Sequence, residues 1–328
     1  MNRPAFLSWP ARRMALAVPA AGLVLAATVI PAGTASAAPV SGSLPQAEIA
    51  FQANTGTLWT WTASGGHDLY LGMDSAGTSP SIDGFGDVAF QSNTGTLWEV
   101  VPGCCGKALN LGMMAGTSPA IDYGSFAGEP QIAFQANTGS LWLWDWISGG
   151  HDQRLGMAAG TSPSINHSEQ IAFQANTGIL WVDDYGTSGG HDLGFGMAKG
   201  TSPSIDAIGG VAFQANTGTL WTTSAGNTGL EMAAGTSPSM TTAINTLSSD
   251  GEVAFQGSNG DLWTWTPGVG GDDTGLKMAA DTSPSIDLSG DIAFQGSNND
   301  LWVTGLGGTY DLGLGMLAGT SPNIDATS

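Results

Sequence analysis

The stretch Ile49-Ala50-Phe51-Gln52-Ala53-Asn54-Thr55-Gly56-Thr57-Leu58-Trp59 decides the fold. Its first four residues alternate and favour extended backbone, and its last three do the same. The polar residues between them fit a type I turn followed by glycine in the left-handed region, which forms a bulge and returns the chain antiparallel. The pattern recurs with Phe90, Phe134, Phe173, Phe213, Phe255 and Phe294 in place of Phe51, at intervals of 39 to 44 residues. In the seventh copy Asn299 stands where Gly56 does, and asparagine is the non-glycine residue that best tolerates that conformation.

Each copy runs on through a variable stretch to a methionine and then Thr-Ser-Pro, with prolines at Pro80, Pro119, Pro163, Pro203, Pro238, Pro284 and Pro322. In the first copy Thr57 to Trp61 reads as a strand, Ser64-Gly65-Gly66-His67 as a loop, and Leu69 to Met73 as a further strand. Ser81-Ile82-Asp83 then begins another. A period near 40 residues built of short strands marks a β-propeller. Seven copies predict an all-β, seven-bladed β-propeller of four-stranded antiparallel blades. The strand after each proline is innermost, where a free edge tolerates a residue lacking an amide hydrogen. The chain enters at a second strand and ends on Thr320-Ser321-Pro322-Asn323-Ile324. Residues 321–325 are therefore expected beside 48–52, the C-terminal strand completing the first blade and closing the ring.

Residues 1–37 read as a secretory signal peptide. Arg3, Arg12 and Arg13 are its basic region, Met14 to Ile30 its apolar run, and Ala35-Ser36-Ala37 its small-residue cleavage site. The Arg12-Arg13 pair leaves the twin-arginine export route open. Residues 38–47 form a short linker and 48–328 a single propeller domain, expected outside the cell. No second apolar run is long enough to span a bilayer. Removing residues 1–37 takes three of the seven cations and none of the 27 acids, so the formal charge moves from -20 to -23. Such a surface repels nucleic acid and anionic lipid. Cys104 and Cys105 are adjacent and cannot staple distant segments. A strained vicinal disulfide, a bridge between two chains, and a turn carrying two thiols are all open to them.

Both faces of every blade must pack on a neighbour. Trp59, Trp98, Trp142, Trp181, Trp221, Trp263 and Trp302 are therefore expected to fill the seams. Met73, Met113, Met157, Met197, Met232, Met278 and Met316 are expected there as adaptable filler. Gln52 and its six equivalents point away from the phenylalanines and must be hydrogen-bonded if buried.

Alternating strands divide the loops between two faces. One carries the Asn-Thr-Gly and Thr-Ser-Pro turns, which hardly vary. Seven near-equal turns suit seven equal weak sites, or they are turn chemistry copied by duplication. The other face carries loops of variable length and content. On it Ser-Gly-Gly-His-Asp occurs three times, giving His67-Asp68, His151-Asp152 and His191-Asp192 as candidate ligand contacts, with Trp61 and Trp144 nearby in sequence. An aromatic plane with Asp and His suits sugar recognition; a bare exposed turn is the other reading. A metal site is disfavoured because the three copies fall on different blades. No nucleophile elbow, zinc-protease helix, phosphate loop or calcium loop is present, so no catalytic residue and no cofactor is assigned.

The elements Phe51, Asn54-Thr55-Gly56, Leu58-Trp59, Leu71-Gly72 and Ser79-Pro80-Ser81 together resemble the repeat of seven-bladed bacterial lectins of the PLL type. More distantly they resemble tectonin and tachylectin propellers. The resemblance spans residues 48–325 and implies sugar binding, often of fucosylated or methylated glycans and often in oligomers. The Ala-Phe-Gln strand and the lack of an aromatic-rich segment before the outer strand depart from that pattern, so no binding residue is carried over. The reading is a secreted multivalent carbohydrate-binding protein without catalysis, whose partners are glycans or cell-surface polysaccharide. The alternatives are an extracellular protein-interaction scaffold and a polysaccharide hydrolase or lyase with a cryptic carboxylate site.

Overall fold

The computed structural model describes residues 47–124, 129–184, 189–242, 251–305 and 307–326. The signal peptide, and all of the linker except Ala47, lie outside them. The described residues contain 28 strands in seven four-stranded antiparallel sheets, a seven-bladed β-propeller. Blade one runs outward through Asn323–Ala326, Ala47–Gln52, Thr57–Thr62 and Gly65–Gly72. Blade two, entirely sequential, runs through Ser81–Ile82, Val88–Gln91, Thr96–Val100 and Gly106–Gly112. The closing strand is where the repeat pattern puts it: Ala47 faces Ala326, Glu48 faces Asp325, Ile49 faces Ile324 and Ala50 faces Asn323.

The core is not one cluster but seven seams. In the seam between blades one and two, Ala50, Leu58 and Met73 meet Ile82, Val88, Phe90 and Val100. The seven methionines are buried, and each bridges to the neighbouring blade, as Met73 does to Ser92. The Leu-Trp tryptophans are half-buried against these clusters, each ring tilted on its own blade's phenylalanine with centroids 6.1–6.4 Å apart.

The near-invariant face is consumed by contacts between blades. Each Thr-Ser-Pro serine donates its N–H to the next blade's serine hydroxyl. The chain of bonds runs from Ser79 to Ser118, Ser162, Ser202, Ser237, Ser283 and Ser321, and back to Ser79, at 2.8–2.9 Å. The threonine before each serine is buried and its hydroxyl donates to a carbonyl three or four residues earlier. Each Ala-Phe-Gln glutamine is buried and donates from Nε2 to the carbonyl following the seam methionine, as Gln52 does to Asp74. That same residue donates its N–H to the next blade's glutamine carbonyl, as Asp74 does to Gln91. Each amide nitrogen is thus engaged across a seam, while Oε1 of Gln52, Gln91, Gln135, Gln174, Gln214 and Gln295 is buried without a hydrogen-bond partner.

Substitutions in this face are coupled. A Cβ on Gly72 would lie 2.6 Å from Asn93 Nδ2, and Gly112, Gly156, Gly196 and Gly315 meet Asn137, Asn176, Asn216 and Asn54 in the same way. Where the glycine is replaced by Glu231 or Lys277, the facing asparagine is replaced by Ser258 or Ser297, which still donates its N–H to that residue's carbonyl. We expect Gly72→Lys to cost about 2 kcal/mol through overpacking. Asn93→Ser in the same chain should recover most of that loss. A double-mutant cycle by chemical denaturation checks it, and additive losses would refute the coupling.

One expectation is corrected. Ser64-Gly65-Gly66-His67 is not a loop: Gly65–Gly72 is the outer strand, with His67 opposite Thr60 and Asp68 opposite Trp59. The paired glycines are present because neighbouring leucines press on them. A Cβ on Gly66 would lie 2.9 Å from Leu314 Cδ1, and on Gly106 2.7 Å from Leu71 Cδ1.

Candidate functional site

The sequence-derived candidates fall in different places. Trp61 and Trp144 are 4% and 6% exposed and fill seams. Asp68, Asp152 and Asp192 accept the N–H of the residue two positions on, Tyr70, Arg154 and Gly194. Those three residues have positive φ or are glycine at φ 75°, so the aspartates fix the bulge of the outer strand. His67, His151 and His191 lie on the outer strands of blades one, three and four, and the fold does not bring them together. His151 Nε2 is 4.0 Å from Asp145 Oδ2. Cys104 and Cys105 are exposed in the loop before blade two's outer strand, with their sulfurs 3.4 Å apart.

A different set of residues converges at the mouth of the central channel, on the variable face. The channel has a volume of about 580 Å³ and is lined by the innermost strands. Each of those strands belongs to a Pro-x-Ile-Asp type sequence, placing Asp83, Asp122, Asn166, Asp206, Thr241, Asp287 and Asp325 at equivalent positions. Most of these side chains have local work. Asp83 Oδ1 accepts from the Phe85 and Asp87 N–H groups at 3.0 and 2.9 Å, capping the tight turn to the second strand. Asn166, Asp206 and Asp287 cap the equivalent turns.

Asp122 and Asp325 differ. In blade three the innermost strand runs on to Tyr123, and in blade one to Ala326, so neither aspartate has a tight turn to cap. Asp122 faces Gln131 across the sheet and Asp325 faces Glu48, a like-charged neighbour. Burial pushes both carboxyls up to about 7, and Asp122, Asp83 and Asp287 add repulsion at Asp325. Burial likewise raises Asp83 and Asp287 to about 6, helped by Asp87 and Asp291 respectively. Glu48, Asp87, Glu99, Asp183 and Glu252 are also raised, with burial the leading cause, and all of them lie toward the same face.

Beside these acids stands an aromatic ledge drawn from three blades. Phe85 meets Tyr123 edge-on at 4.8 Å between centroids, and Tyr123 meets the His167 ring at 4.8 Å. His167 Nδ1 is 3.1 Å from the Tyr123 carbonyl oxygen. Tyr123 and His167 line the channel, while Phe85 is 54% exposed. Further round, Lys107 Nζ sits 4.5 Å above the ring of Trp146, itself 54% exposed. Phe85, Val101, Trp146, Ile147, Ile208, Val269 and Leu288 are seven of the eight large exposed apolar residues described, and all lie on this face. Apolar planes next to protonatable carboxyls can stack on a ring and hydrogen-bond its substituents.

No family model matches the chain, and no curated protein matches it. Among solved structures it is similar to a chain of a mitotic checkpoint complex at 13% identity and a TM-score of 0.46, covering 83% of this chain and 84% of that one. It is similar to the fucose-specific lectin from Aleuria aurantia at 15% identity and 0.41, covering 69% and 88%. It is also similar to the SapL1 lectin in complex with alpha methyl fucoside at 11% identity and 0.42, covering 84% and 97%.

Proposed function

We propose that this chain is a secreted, non-catalytic carbohydrate-binding propeller whose main contact is the channel mouth on the variable face. The observation that carries this reading is the Phe85–Tyr123–His167 ledge standing beside Asp122. Aromatic faces take the apolar side of a pyranose ring, and carboxyls take its hydroxyls. The opposite face supports it less well, because its repeated serine hydroxyls and glutamine amide nitrogens are already engaged between blades and the glutamines are buried. Additional weak contacts at His67, His151 and His191 would make the binder multivalent.

The test is a glycan array probed with residues 38–328, followed by competition with free sugar. Phe85→Ala combined with Tyr123→Ala should weaken the best hit at least tenfold while leaving the fold cooperative. Undiminished binding would move the site elsewhere. A second reading, a polysaccharide hydrolase or lyase, is favoured by one observation: burial raises the Asp122 and Asp325 carboxyls to about 7, so each is partly protonated at neutral pH, in the range a general acid uses. Turnover of a polysaccharide, abolished by Asp122→Asn, would select it.

A further inference from the structure

Among the described residues the carboxylates at the channel mouth have no cation of their own. Arg154 lies in an outer strand, Lys107 over Trp146, and Lys199 in a turn on the opposite face. Lys277 is committed to Asp261 at 2.5 Å. Asp287, only 3% exposed, lines the channel, and its Oδ2 has no hydrogen-bond partner; Asp83, equally buried, also has an unpartnered Oδ2. A buried carboxylate oxygen without a donor is costly, and a bound donor of opposite charge relieves that cost. Among the described residues no group of three His, Cys, Asp or Glu side chains is close enough to hold a metal ion.

Resting on the reading that this mouth binds carbohydrate, we infer that its ligand is an amino-sugar polymer carrying free ammonium groups. The ammonium groups are held by Asp122, Asp325 and Asp287 while the rings stack on Phe85 and Tyr123. The channel volume falls in the range of ordinary ligand pockets. The shape and charge requirements thus point together: a flat aromatic ledge for the ring, and donors for carboxylates that repel one another. The excess of acid also attracts a polycation at long range, so association should weaken as salt rises.

The experiment is titration calorimetry of residues 38–328 at pH 7 with a glucosamine hexamer, its fully N-acetylated counterpart, a neutral glucan hexamer and poly-lysine. The glucosamine hexamer should bind at least tenfold more tightly than either uncharged oligomer. Asp122→Asn with Asp325→Asn should erase that preference, and 0.5 M salt should reduce it. If the N-acetylated or neutral oligomer binds equally well and Phe85→Ala abolishes it, the amino-sugar inference is overturned while the carbohydrate reading stands. If no oligosaccharide binds, both fall. Binding of poly-lysine alone would make the mouth a receptor for basic peptide and overturn both.

Discussion

Removing residues 319–328 should cost the propeller at least about 5 kcal/mol and lower its melting temperature by more than about 10 °C. The segment carries the whole innermost strand of blade one and its pairing with residues 47–50. Ile324 is buried in the seam with Ile49, Trp61 and Val303, and burying such a side chain stabilises by roughly 3 kcal/mol. Ser321 both donates to Ser79 and accepts from Ser283, so its loss breaks the serine ring in two places, at about 1 kcal/mol each. Loss of closure adds to these, because blades seven and two then border an incomplete blade. A full-length variant, Ile324→Asp, isolates the seam by placing a charge among apolar groups without shortening the chain. Scanning calorimetry of both variants decides the matter; a melting temperature within 2 °C of the parent would contradict the idea that this strand holds the ring shut.

The fold was legible because every blade solves the same packing problem with the same residues. The Ile-Ala-Phe-Gln strand, the Asn-Thr-Gly turn and the Leu-Trp strand read correctly, and so did Asn299, found at φ 64°. Asp281, which replaces a glycine in the turn before Thr-Ser-Pro, also holds positive φ, at 61°. The outer strand was harder. Gly65-Gly66 looks like a loop by composition, and its reason lies in another blade, where Leu314 leaves no room for a side chain. Asp68 and its equivalents looked like ligand groups because the bulge they cap cannot be seen until Tyr70 is placed at φ 57°. The channel mouth escaped for a related reason. Asp122 and Asp325 are 203 positions apart in sequence, and only ring closure sets them at equivalent positions around one axis. Phe85 and His167 sit in turns and Tyr123 at the end of an extended innermost strand, all of unlike sequence, so repetition gave no hint that they stack.

The mouth also fixes how stability should vary with pH. Asp122 and Asp325 titrate near 7 in the fold and near 3.9 in the unfolded chain. Between those values the folded state holds protons that the unfolded state has lost. Stability is therefore highest below about pH 4 as far as these groups are concerned, falls as pH rises through the window, and levels off above about 7. Their mutual coupling and residual hydration limit the combined effect to about 3 kcal/mol, corresponding to a melting temperature roughly 6 °C lower at pH 8 than at pH 4.5. The other raised carboxyls, such as Glu48 and Asp287, push in the same direction. Asparagine mimics the protonated acid, so Asp122→Asn with Asp325→Asn should raise the melting temperature at pH 8 by about that amount and change it little at pH 4.5. Thermal melts of the parent and the double variant at the two pH values test this. Parallel curves, with the variant no better at pH 8, would mean that these two carboxylates are hydrated well enough to ionise without cost, and that the mouth carries no unmet charge for a ligand to satisfy.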